Sequence, residues 1–191
     1  VEARRVALAS GGGVPVGGNS AWTNPPPENP VGSWGSKRVL FMRLVFRDDT
    51  EVPISESEAA EVMHEVNDFY VEASYNKASL VTTVTPVLTL PFPKLDYSAE
   101  GPGLILVDAI EEARKAGFAA DNYDFIVMRH PNVPGFTWGG LGGGGVAWLQ
   151  GNGAGLIIHE LGHVFGLGHA NFYDTQRPAL PNNPNNNPFD M

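Results

Sequence analysis

Ala154-Gly155-Leu156-Ile157-Ile158-His159-Glu160-Leu161-Gly162-His163-Val164-Phe165, with Gly166-Leu167-Gly168-His169 behind it, is the stretch on which the reading of this chain turns. Residues 154–165 have the length of a helix, and Ile157, Ile158, Leu161, Val164 and Phe165 supply the buried faces that would anchor it. Successive helical residues turn by about 100°, so His159 and His163 lie roughly 40° apart, one turn from each other. Two imidazoles so placed can reach a common zinc ion at ~2.0–2.1 Å. Glu160 stands beside them, close enough to take a proton from a water at the metal but not placed as a ligand. Gly166 can adopt a left-handed conformation, end the helix and swing the chain back, so that His169 arrives as the third ligand. Three neutral imidazoles leave one coordination position open, as catalytic zinc sites do. The chain has no cysteine, which excludes a closed thiolate site.

Upstream of this helix, Thr137–Gln150 reads as a Gly-rich edge strand turning into a second strand. The glycines at 142–145 lack the spacing and the Lys-Ser/Thr partner of a phosphate loop. Two readings fit them: a flexible hairpin, or an edge strand whose bare backbone lets a peptide approach closely. The second is preferred for Gly140, Leu141 and Gly142 as substrate-binding residues. Tyr123–Arg129 reads as a short buried strand. Leu104–Ala116 carries a helical pattern, with Ile105, Ala109, Ile110 and Ala113 on one face and Gly117 to close it. Leu80–Leu90 is rich in Val and Thr, reads as strand, and is stopped by Pro91 and Pro93. A helix follows Ser55 or Ser57 as cap, with Ala59, Val62, Met63, Val66, Phe69, Tyr70 and Ala73 in one stripe facing a sheet. Val39–Phe46 is an almost unbroken apolar run, as in a strand covered on both faces. The resulting order predicts an α/β (α+β) layer with a mixed sheet.

At 191 residues the chain has room for one domain. Residues 1–36, broken by Gly11–Gly13, Gly17–Gly18 and Pro25–Pro27, are expected to be a linker or leader remnant, with a short edge strand possible only at Val6–Leu8. The catalytic domain is then 37–191. A net charge of −9 repels phosphate backbones, so nucleic acid is not the expected partner; protein or peptide is. No stretch has the length of a membrane span. The chain begins at Val1 with no signal peptide, so a processed, secreted or periplasmic product is expected.

The HExxHxxGxxH spacing of His159, Glu160, His163, Gly166 and His169 resembles that of the metzincin metallopeptidases. Val66-Asn67-Asp68-Phe69-Tyr70, Ser74-Tyr75-Asn76-Lys77 and Trp138-Gly139-Gly140-Leu141 are similar to the gametolysin-like branch. The resemblance spans about residues 36–172. It implies a twisted five-stranded sheet, a backing helix, an active-site helix above a horizontal cleft, and endopeptidase activity on extracellular protein. It also implies a Met-containing turn beneath the zinc. Phe189-Asp190-Met191 looks like the entry to that turn, which makes Met191 its structural methionine and leaves the lower, C-terminal subdomain missing or reduced.

The remaining candidates have plainer readings. His64 lies on the polar side of its helix and is expected in solvent. His130, between a strand and Pro131, is expected in a loop role. Asp48, Asp49, Asp174 and Asp190 could assist a Ca2+ ion but lack the spacing of an EF-hand. The rival to an enzyme is a zinc-stabilised binding domain or a latent, inactive proteinase fragment. A purely structural zinc would have no need of Glu160.

Overall fold

Residues 34–169 are described by a computed structural model. The elements are β1 (Gly35–Phe46), α1 (Glu56–Ala73), β2 (Ala78–Leu90), α2 (Lys94–Glu100), α3 (Pro102–Lys115), a 3-10 turn (Ala120–Asn122), β3 (Phe125–Arg129), β4 (Gly140–Gly143), β5 (Val146–Leu149) and α4 (Ala154–Val164). They form a five-stranded sheet in the order β2-β1-β3-β5-β4. β1, β2, β3 and β5 run parallel, and β4 pairs antiparallel with β5 at the edge. This is the mixed α/β sheet expected. Among the described residues, no helix is long and apolar enough to cross a membrane. Val6–Leu8, the Asn/Pro tail, Asp174, Asp190 and Met191 lie outside the described residues, as does the proposed linker up to residue 33.

β1 is apolar on both faces because helices cover both. Leu40, Met42, Leu44 and Phe46 pack with Tyr97 of α2 and with Leu104, Ile105, Ala109 and Ala113 of α3. Val39 and Phe41 pack on the opposite face with Ala59, Met63 and Val66 of α1 and with Ile157, Leu161 and Val164 of α4. Each large apolar side chain buried in this way contributes about 1.5–3 kcal/mol. α1 starts where Ser55 caps it: the Ser55 side chain accepts from the Glu58 amide while the Glu58 carboxylate accepts from the Ser55 amide.

Several local expectations are corrected. Regular structure begins at Gly35, two residues before Lys37. Phe69 and Ala73 were expected on the buried stripe of α1, but both are exposed. In its last turns α1 stays bonded to the start of β2 through Asn67 and Ser74, and its apolar contact shifts to Tyr70, which packs towards α4. α2 had no sequence signal of its own: it has seven residues, between Pro93 and Gly101. His130 does lie in the loop after β3, and it is fully buried there.

Candidate metal centre

The glycine hairpin and α4 together make the site. Gly144 and Gly145 occupy the two-residue turn between β4 and β5 with φ of 59° and 87°. Positive φ at both turn positions is the type I′ geometry, whose twist matches that of paired strands. The hairpin is therefore well defined rather than loose. Its outer strand presents Gly140 and Gly142 towards α4, while Leu141 packs on the core of the α3 side. Paired with Leu149 through Val146, β4 leaves its other edge unpaired among the described residues. Gln150 donates its amide to the carbonyl of Gly139, so residues 139 and 150 are a hydrogen-bonded pair. By the alternation of antiparallel ladders, Leu141 and Gly143 bond inward to β5, and the peptide groups of Gly140 and Gly142 point to the open edge. Beyond Gly139 that edge meets a groove of about 580 Å³ formed by residues 132–139 with Gln150 and Gly151.

α4 carries His159 and His163 one turn apart, and Gly166 ends it. Gly166 has φ 92°, its amide bonds the His163 carbonyl, and the Leu167 amide bonds the Gly162 carbonyl. That pair of bonds is the Schellman closure expected of a left-handed glycine. It turns the chain back so that His169 reaches the other two histidines. The three Nε2 atoms stand 3.1 Å (His159–His163), 3.0 Å (His163–His169) and 3.2 Å (His159–His169) apart. Nitrogens bonded tetrahedrally to one zinc at ~2.0–2.1 Å would stand about 3.3–3.4 Å apart. Three imidazole nitrogens aimed at one point cannot all satisfy one another, whereas a cation satisfies all three. The donor set fits zinc, which favours imidazole in four-coordinate sites.

A further detail fixes the proton on His163. Its Nδ1 lies 2.8 Å from the carbonyl oxygen of Leu167. A carbonyl only accepts, so Nδ1 carries the hydrogen and Nε2 keeps its lone pair for a metal. The sequence motif gives no sign of this bond, because Leu167 contributes only its backbone. Tyr70 is a second contributor that pattern reading reduced to a core residue. Its hydroxyl donates to the carbonyl of Ile158 at 2.7 Å, tying α1 to the ligand helix beside His159. Burial pushes the Tyr70 hydroxyl well above the ordinary tyrosine range, so it stays a donor. Phe69, Tyr70, Ile158, Gly162, Leu167 and Gly168 wall a recess of about 200 Å³ next to His159 and His163.

The Glu160 side chain lies against Gly140 of β4 and is only 5% exposed. Burial raises its carboxyl above the usual glutamate range; His159, His163 and the Gly142 amide pull in the other direction. A carboxylate held near a metal site with raised affinity for a proton is suited to take one up and give it back. At the entry to α4, Arg129 is buried and donates to Asn152 and to the carbonyl of His130, while Asn152 donates to the carbonyl of Pro53 at 2.9 Å. These bonds hold the start of the helix to the end of β3 and to the loop that leads into α1. His64 is exposed and pairs with Asp68, as a surface residue would. Asp48 accepts the Lys94 amide, and Asp49 pairs with the Lys94 ammonium, which lowers its carboxyl; nothing supports a calcium ion there.

No curated protein matches the sequence. Archaemetzincin from Methanopyrus kandleri is a solved structure similar to this chain, at 19% identity and a TM-score of 0.39, covering 74% of this chain and 78% of that one. The finer placement in the gametolysin-like branch gains no support from these matches. A family model described as Peptidase M66 matches residues 110–181, a span that holds β3, the glycine hairpin, Glu160 and all three converging histidines. A peptidase match that includes a three-histidine cluster supports a zinc metallopeptidase.

Proposed function

We propose that the chain is a zinc-dependent endopeptidase in which His159, His163 and His169 hold the metal and Glu160 is the general base. The observation that carries this reading is the convergence of three Nε2 atoms with a buried, proton-seeking carboxylate on the adjoining turn of the same helix. Zinc in a three-histidine site acidifies water and polarises a carbonyl. Glu160 accepts the proton of the attacking water and returns it to the departing amine, so no covalent enzyme intermediate is needed. An extended polypeptide substrate is taken to lie along β4 by strand addition, paired with the outward peptide groups of Gly140 and Gly142, with Leu141 between them. The HExxHxxGxxH arrangement supports a place among the metzincins, because Gly166 and His169 serve the roles that spacing implies.

The test is turnover of a broad peptide library by the zinc-loaded protein, with and without chelator, beside Glu160→Gln. Chelation should abolish cleavage. The variant should keep its zinc and lose at least the 10²–10⁴-fold typical of general-base work. Near-normal hydrolysis by Glu160→Gln would falsify its role, and zinc binding without any cleavage would favour the binding-domain alternative.

A further inference from the structure

We infer that Gly140 is a positioning residue whose lack of a side chain creates the seat of the Glu160 carboxylate; this rests on the reading of Glu160 as general base. Neither Gly140 nor Gly142 has a positive φ, so the backbone conformation would admit any residue at either position. The demand is one of space. A Cβ at position 140 would stand 2.5 Å from Oε1, 2.6 Å from Cγ and 2.8 Å from Cδ of Glu160. A Cβ at 142 would stand 2.2 Å from the main-chain oxygen of the same residue. One glycine thus accommodates the acid's side chain and the other its backbone.

The two contacts have different consequences. Ile157 and Leu161 are fully buried on either side of Glu160, so the helix backbone is held by the core. An added methyl at 140 therefore displaces the carboxylate, or the edge strand, by roughly 1 Å to recover ordinary contact, and a misplacement of that size can cost about 10²-fold in rate. Because the peptide groups of Gly140 face the open edge while its Cα face abuts Glu160, this residue links the substrate strand and the base. A single backbone position then sets the distance between the bound peptide and the group that moves its proton.

Six proteins test this: the wild type, Gly140→Ala, Gly142→Ala, Glu160→Ala and the two double variants. Gly140→Ala should bind zinc to the wild-type level and lose about 100-fold in kcat, with KM changed only a few-fold. Its melting temperature should fall in the wild-type background and not in Glu160→Ala, where the clashing atoms are gone. Gly142→Ala meets main chain, so it should lower the melting temperature in both backgrounds, which calibrates the cycle. Wild-type kcat in Gly140→Ala, or an equal thermal loss in both backgrounds, overturns the inference. The thermal cycle needs no activity, so the two readings fail separately. Coupling without any peptide cleavage would remove the peptidase reading and leave the seat in place. Cleavage without coupling would remove the seat alone.

Discussion

Acidification should destabilise this fold through His130, by an amount that follows from its surroundings. The imidazole is fully buried among the rings of Phe46, Phe136 and Trp138, with centroids 6.1, 6.4 and 6.1 Å away. Its Nδ1 lies 2.9 Å from the carbonyl of Pro131 and so carries the hydrogen; its Nε2 is buried with no partner among the described residues. Burial lowers the imidazole from the ordinary 6.5 to about 4; the Pro131 carbonyl opposes this, and the cations Arg129 and Lys94 add to it. The unfolded chain therefore binds a proton near pH 6.5 that the native chain refuses until about pH 4. Stability from this group is complete above the unfolded value and is lost as pH falls through the window. At 1.36 kcal/mol per pH unit, the whole gap amounts to about 3 kcal/mol, of which about 2 kcal/mol is gone at pH 5. Urea unfolding of chelator-treated wild type and His130→Phe, at neutral pH and at about pH 5, isolates the effect, since all other titrating groups are common to both. The wild-type advantage over the variant should shrink by about 2 kcal/mol on acidification. A difference that stays constant would refute the account of a buried neutral imidazole.

Two further outcomes bear on the site. His163→Ala should remove one of three ligands and its bond to Leu167, so that elemental analysis of purified protein shows zinc well below one per chain; full retention would refute the ligand assignment. Zinc-loaded Glu160→Gln with a bound substrate polypeptide should show slowed amide exchange at Gly140, whose N–H faces the open edge; unchanged exchange there despite binding would place the peptide elsewhere.

What could be read from the chain alone was what depends on neighbours in sequence. Val39–Phe46 announced a strand covered on both sides because each residue in turn meets a helix layer. His159, His163 and Gly166 were legible because helix geometry and a left-handed stop are local matters. α2 was missed because seven residues give too little period, even though Tyr97 is fully buried and donates to Asp108 at 2.8 Å. The burial of His130 was not legible because its shell comes from Phe46, Phe136 and Trp138, and only the fold assembles those rings around it. Gly140 was read for its bare backbone; its quarrel with Glu160, twenty positions later, is visible only in three dimensions.

The closure of α4 sets different rules for residue type and for chain length. Leu167 bonds to the site only through its carbonyl, to His163, and its amide, to Gly162; at the wall of the recess the residue is 63% exposed. Many residues could stand there without disturbing either bond. An inserted or deleted residue between His163 and His169 could not be absorbed in that way. It would shift the left-handed glycine, rotate the carbonyl that holds the His163 proton and carry His169 away from its partners, all in one event. Relatives that share this chemistry should therefore vary freely at position 167 and keep the same number of residues across it.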